Sequence, residues 1–100
     1  MRRLTYRPRA RRDLADIQGY IARASGRSMA LAFVSRLRHR CLRLAELPGT
    51  LGTARPDLAD GLRSTPCDGY VIFFRYREDD AVEIVNILHA SRDVEGYFTD

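Results

Sequence analysis

The sequence predicts an α+β fold in the order β-α-α-β-β-β, a helical hairpin packed on a small antiparallel sheet. Three observations carry this. Apolar residues recur at helical spacing in two consecutive stretches, Ala10 to Ala24 and Ala30 to Leu44. Runs rich in β-branched and aromatic residues fill the second half, between Leu62 and Leu88. Asp68-Gly69 separates two of those runs as a two-residue hairpin signal. Helices segregated from strands in this way pack on one face of an antiparallel sheet.

Leu4-Thr5-Tyr6 opens the chain as a short extended piece. Pro8 suits the first turn of a helix, where its missing N–H costs nothing. From there Ala10, Leu14, Ile17, Ile21 and Ala24 form one stripe, with Arg9, Arg12, Asp13, Asp16 and Arg23 mostly opposite. Gly19 weakens this helix by about 1 kcal/mol relative to Ala, so close packing against a neighbour is expected there. Ser25-Gly26 ends it. Ser28 is the expected N-cap of a second helix, whose stripe is Ala30, Phe33, Val34, Leu37, Cys41 and Leu44. Arg36, His39, Arg40 and Arg43 form a basic face opposite, and Pro48-Gly49 stops the helix. Two such helices joined by a few residues make an antiparallel hairpin.

Residues 48–61, rich in Gly, Pro and Asp, read as a loop, with a helical turn expected around Asp57 to Asp60. Three strands follow. Leu62 to Thr65 is short and is expected to end at Pro66. Tyr70 to Tyr76 is apolar at nearly every position, as a central strand covered on at least one face would be. After the polar turn Arg77 to Asp80, a last strand from Val82 to Leu88 is expected to alternate, with Val82, Ile84, Asn86 and Leu88 on one face.

One hundred residues bound the chain to one domain, 1–100, with a modest core. No apolar run approaches the ~20 residues that a membrane span needs. The two arginines near the start have no apolar stretch behind them, so a secretory signal is not expected and the cytoplasm is. Cys41 and Cys67 lie in different elements without metal-ligand spacing, so both read as buried, reduced thiols.

Every basic residue is Arg. Residues 1–43 hold twelve Arg against Asp13 and Asp16, a net of +10; residues 44–100 hold five Arg against eleven acids, a net of −6; the two give the overall +4. That asymmetry points to a basic face for an anionic partner, either nucleic acid or an acidic protein segment, against the plainer reading of a solvated helical face. Arg favours bidentate pairing with carboxylate or phosphate, which suits a specific partner.

The stretch from Asn86 to Asp93, NILHASRD, places His89, Ser91, Arg92 and Asp93 together. A Ser-His-Asp triad needs side chains converging from separate positions, and a turn after His89 breaks the alternation that would align these. Asp93 reads as an N-cap for a terminal turn, and Arg92 as a partner for Asp93, Glu95 or a carboxylate on another protein. His39, His89 and the two cysteines give no metal-ligand pattern, and no phosphate-binding glycine loop is present. Tyr70, Phe73, Phe74 and Tyr76 could stack bases, but strand alternation sends them to opposite faces and marks them as core.

A series of positions resembles the ParE branch of the RelE/ParE toxin superfamily. It comprises Ala10, Asp13-Leu14, Ile17, Tyr20-Ile21-Ala22, Ala32-Phe33, Leu44-Ala45, Pro48, Arg55-Pro56-Asp57-Leu58, Gly61-Leu62-Arg63, Tyr70 to Phe74, Val82 to Val85, Leu88-His89 and Arg92-Asp93. The resemblance spans nearly the whole chain. It implies a type II toxin neutralised by a ParD-like antitoxin and inhibiting DNA gyrase, with no cofactor and no metal. RelE-like relatives are instead ribosome-dependent mRNA endonucleases that use basic residues, including an Arg directly after the Tyr opening the central strand. Here Val71 stands in that place and the chain has no lysine, which favours the binding reading over the endonuclease alternative; direct nucleic-acid binding is not expected. Arg92 matches a second basic position; the tail aromatic falls at Phe98, with Tyr97 one residue early. By this resemblance Arg63, Arg92, Asp93, Tyr97 and Phe98 are the candidate contacts to target or antitoxin, and Arg36 and Arg40 on the helical hairpin would meet an acidic or amphipathic antitoxin segment. Arg7-Pro8 departs from the small polar residue expected ahead of the first helix, which weakens that cap.

Overall fold

The computed structural model describes residues 1–91. Among them the chain forms β1 (Arg3–Tyr6), α1 (Pro8–Ser25), α2 (Arg27–Glu46), β2 (Thr53–Ala54), β3 (Arg63–Cys67), β4 (Tyr70–Arg77) and β5 (Ala81–His89). The strands make one sheet in the order β1-β5-β4-β3-β2. The expected helical hairpin lies on one face of it. Two details go beyond the expected pattern. β1 runs parallel to β5, with Leu4 opposite Val82 and Tyr6 opposite Ile84, because no hairpin joins the two strands and forces a reversal. The loop after α2 also contributes the two-residue β2, which pairs Thr53 with Ser64 and Ala54 with Arg63.

Pro8 occupies the first turn of α1, and Arg7 ahead of it makes no side-chain capping bond. The two helices share a single linking residue. Gly26, at φ 96°, donates its N–H to Ala22 O at 3.0 Å and accepts the Ala30 N–H at 3.1 Å. That left-handed backbone suits glycine and makes Gly26 the N-cap of α2, so Ser28 lies inside the helix and does not cap it. Gly19 is not a close-packing point either. A Cβ there would meet only the guanidinium tip of Arg23, 3.3 Å away on the same helix.

Leu14 and Ile17 of α1 and Val34, Leu37, Cys41 and Leu44 of α2 pack on Ile72, Phe74, Val82, Ile84 and Ile87 of the sheet. Burying each large member stabilises the fold by about 1.5–3 kcal/mol before chain entropy is counted. A smaller cluster, Leu62, Phe73 and Leu88, sits apart from it and is flanked by Leu58, Ala59, Val71 and Val85. Leu58 and Ala59 come from the expected helical turn, where the N–H groups of both bond to Arg55 O. β4 thus sends Ile72 and Phe74 to one cluster and Phe73 to the other.

The even alternation expected of the last strand does not hold. Phe73 pairs with Asn86 but Phe74 pairs with Ile84, so Val85 is an extra residue in a β-bulge. Beyond it the faces exchange: Ile87 joins Val82 and Ile84 in the main core, while Leu88 joins the smaller cluster. Pro66 does not end β3; it pairs with Val71, and Cys67 pairs with Tyr70. In a two-residue hairpin the closing pair exchanges the hydrogen bonds, so the next pair does not, and the Pro66 nitrogen faces the sheet edge. Asp68 and Gly69 have φ of 52° and 83°, the left-handed pair that this turn requires.

Candidate partner-binding surfaces

α2 and the outer edge of β3 enclose a basic trough. Arg36, His39, Arg40 and Arg43 stand at i, i+3, i+4 and i+7, which puts them on one side of α2. Facing them are Pro66, Cys67 and Asp68, around a cavity of about 670 Å³. A second cavity of about 290 Å³ continues past Arg40 and Arg43 toward Leu44, Leu47 and Leu51. Arg36 Nε donates to Asp68 Oδ2 at 3.1 Å and its guanidinium lies 5.2 Å from the Phe33 ring centre. Arg40 donates to Thr65 Oγ1 at 3.0 Å. Arg43 forms no ion pair with an acid among the described residues. The Cys67 thiol is half-buried, not fully buried as expected; burial and then neighbouring Asp68 raise its pKa, which keeps it neutral.

Arg63 shapes the far wall of this trough. Its Nε donates to Leu51 O at 2.7 Å and its Nη2 to Gly52 O at 3.1 Å, fastening the loop to β3. Tyr76 assists, since its hydroxyl accepts the Leu51 N–H at 2.9 Å. The structure therefore brings Arg36 and Arg40 together and gives Arg63 a loop-holding position beside them. Arg92, Asp93, Tyr97 and Phe98 lie outside the described residues.

A second surface was not foreseen from the sequence. An open cleft of about 710 Å³ lies between α1 and the end of β5. Ile17, Tyr20, Phe33 and Tyr70 supply its apolar lining, and Arg9, Arg12, Asp13 and Asp16 add charge from α1. Tyr70 packs edge-on against Phe33, with ring centres 5.7 Å apart, and against His89 at 5.2 Å. Burial, and to a lesser degree Tyr20, raises the Tyr70 pKa, so its hydroxyl is a neutral hydrogen-bonding group. The signal in the sequence was Tyr20, an aromatic on the helical stripe beside Ile17 and Ile21. Tyr20 is 62% exposed, and Met29 and Leu31 on α2 are 59% and 48% exposed.

His89 and Ser91, the pair that suggested acid–base chemistry, bond only to each other among the described residues. His89 Nδ1 accepts the Ser91 N–H at 3.1 Å and lies 2.7 Å from the Ser91 hydroxyl oxygen. Both contacts fall within one turn, as in a local turn closure. Among the described residues no three His, Cys, Asp or Glu side chains converge as metal ligands, and no helix is long and apolar enough to cross a membrane.

A helical hairpin on a mixed sheet is the fold this chain shares with solved toxin–antitoxin systems. One match is the chromosomal ParDE toxin–antitoxin system from P. aeruginosa, at 22% identity, covering 89% of this chain and 96% of that one, with a TM-score of 0.76. Another is the RelBE2 toxin–antitoxin complex from Mycobacterium tuberculosis, at 22% identity, covering 88% and 96%, with a TM-score of 0.52. At this identity the likeness is one of fold. No curated protein matches the chain. The family is decided by the sequence: residues 4–94 match the model described as ParE toxin of type II toxin-antitoxin system, parDE. The chain belongs to the ParE toxin family and is a toxin of a type II toxin–antitoxin system.

Proposed function

We propose that the chain is held inactive by a ParD-like antitoxin in the cytoplasm and, when free, inhibits DNA gyrase by binding it, with no covalent chemistry of its own. The observation that carries the non-enzymatic part is Val71. It packs against the Leu62–Phe73–Leu88 cluster, in the position where RelE-like endonucleases present an Arg. An aliphatic side chain can neither transfer a proton nor stabilise charge on a phosphate, which are the two things RNA cleavage asks of a protein. The Arg63 guanidinium, a second cation such a site would call on, donates to the Leu51 and Gly52 carbonyls.

The antitoxin covers the exposed apolar side chains of the helical hairpin, Tyr20, Met29 and Leu31, and an acidic part of it reaches Arg36 and Arg40. A segment that orders on binding can wrap such a dispersed surface. Arg63, Arg92, Asp93, Tyr97 and Phe98 are proposed contacts to target or antitoxin, the last four on sequence position alone.

Two assays on purified toxin test this side by side. The reading expects loss of gyrase-driven supercoiling and intact mRNA on translating ribosomes. Codon-positioned mRNA cleavage with untouched supercoiling would instead establish the RelE-like alternative.

A further inference from the structure

We propose that the trough between α2 and β3 seats an extended acidic peptide segment of the antitoxin, with carboxylates two residues apart followed by an aliphatic side chain. This rests on the toxin–antitoxin reading above and adds to it the place and chemistry of one contact.

Charge and spacing argue for that occupant. Arg36, Arg40 and Arg43 rise along α2 by about 6 and then 4.5 Å, at ~1.5 Å per residue. Side chains two apart in an extended peptide lie about 6.6 Å apart on one side of it, within reach of flexible arginine stems. Arg36 already shows the binding mode, since it holds the Asp68 carboxylate at 3.1 Å. Arg40 is oriented by Thr65, and Arg43 forms no ion pair among the described residues, so two guanidinium groups remain for carboxylates from outside. Arg40, already held by Thr65, loses little freedom when a ligand arrives. The far end of the trough is apolar, with Leu44, Leu47 and Leu51 ready to bury an aliphatic side chain.

A nucleic-acid strand fits less well. No Phe, Tyr or Trp among the described residues lines either cavity, so His39 offers the one aromatic ring there on which a base could stack.

The test uses a fluorescein-labelled synthetic peptide of alternating glutamate and valine ending in leucine, and a single-stranded RNA of equal length, titrated with the whole chain. Wild type is expected to bind the peptide in a salt-sensitive way. The double variant Arg40→Glu, Arg43→Glu is expected to bind it about tenfold more weakly or worse, because each reversed charge now repels carboxylate. A control of equal net charge, Arg23→Glu with Arg27→Glu, is expected to bind like wild type. Circular dichroism monitors folding; should the double variant unfold, Arg43→Glu alone, which breaks no ion pair among the described residues, carries the test with a smaller loss. Equal losses in the control and the trough variant, or RNA binding that the trough variant abolishes in place of peptide binding, would overturn the proposal. Co-purification with the cognate ParD-like antitoxin separates the two claims. If both wild type and trough variant retain it equally, the trough assignment fails and the antitoxin reading stands; if wild type fails to retain it, both fall.

Discussion

The Asp13 carboxylate on α1 accepts the backbone N–H of Ile87 on β5 at 2.8 Å. The contact joins residues 74 apart in sequence and falls two positions after the bulged Val85. It fixes the helical hairpin to the strand whose end forms the open cleft. A hydrogen bond to a charged acceptor contributes about 1.5–3 kcal/mol, so Asp13→Ala is expected to lower stability by roughly that amount. Urea unfolding measures the loss, and amide exchange should accelerate first at Ile87.

Two glycines in the same chain are expected to respond oppositely to alanine. Gly19 lies within α1 with only the flexible Arg23 tip near its missing Cβ, so Gly19→Ala should stabilise by about 0.5–1 kcal/mol through helix propensity. Gly52 has φ of 72°, and a Cβ there would come within 2.5 Å of the Ser64 carbonyl oxygen and 3.0 Å of Phe74 Cζ. Gly52→Ala is therefore expected to cost about 2–3 kcal/mol or more, by adding a backbone clash to the unfavourable left-handed conformation. Thermal denaturation of the two variants checks the opposite signs.

Asn86 is 1% exposed, and among the described residues neither its amide nitrogen nor its amide oxygen has a hydrogen-bond partner. Burying such a group without a partner costs about 1–3 kcal/mol. Asn86→Leu, of similar volume, is expected to raise stability by a comparable amount. Urea unfolding checks the sign, and a drop in stability would mean that the Asn86 amide is hydrogen-bonded in the folded protein.

The Cys41 thiol is pushed up from 9.0 to about 11, by burial above all, with the Tyr6 hydrogen bond opposing. The folded state therefore holds this proton more tightly than the unfolded chain. Its contribution is complete below pH 9.0 and is lost as pH rises through about 11. The loss at the alkaline end is about 2–3 kcal/mol. Tyr6, whose pKa is likewise raised chiefly by burial, extends the decline to higher pH. Urea midpoints should fall across this window in wild type and fall less in Cys41→Ala.

The fold was legible because its punctuation is local. Pro8, Gly26 and Asp68-Gly69 each act through their own backbone conformation, and the stripes on α1 and α2 are set by period alone. What escaped depends on pairing. The bulge at Val85 exists only relative to Phe73 and Phe74, so strict alternation misassigned Leu88. Pro66 could stay in β3 only because its nitrogen faces an edge, which a single strand does not reveal. At the site, the basic face of Arg36 and Arg40 was readable from spacing, whereas the loop-holding bonds of Arg63 and the cleft around Tyr20 arise from segments far apart in sequence.

A titration of purified gyrase with purified toxin decides whether the free toxin acts by occupying its target. Occupancy predicts that supercoiling is lost in proportion to toxin added, levels off near equimolar toxin and gyrase, and returns when excess antitoxin is supplied. Progressive, irreversible loss of the target's activity at toxin amounts far below the gyrase present would mean that each toxin molecule turns over, and would contradict it.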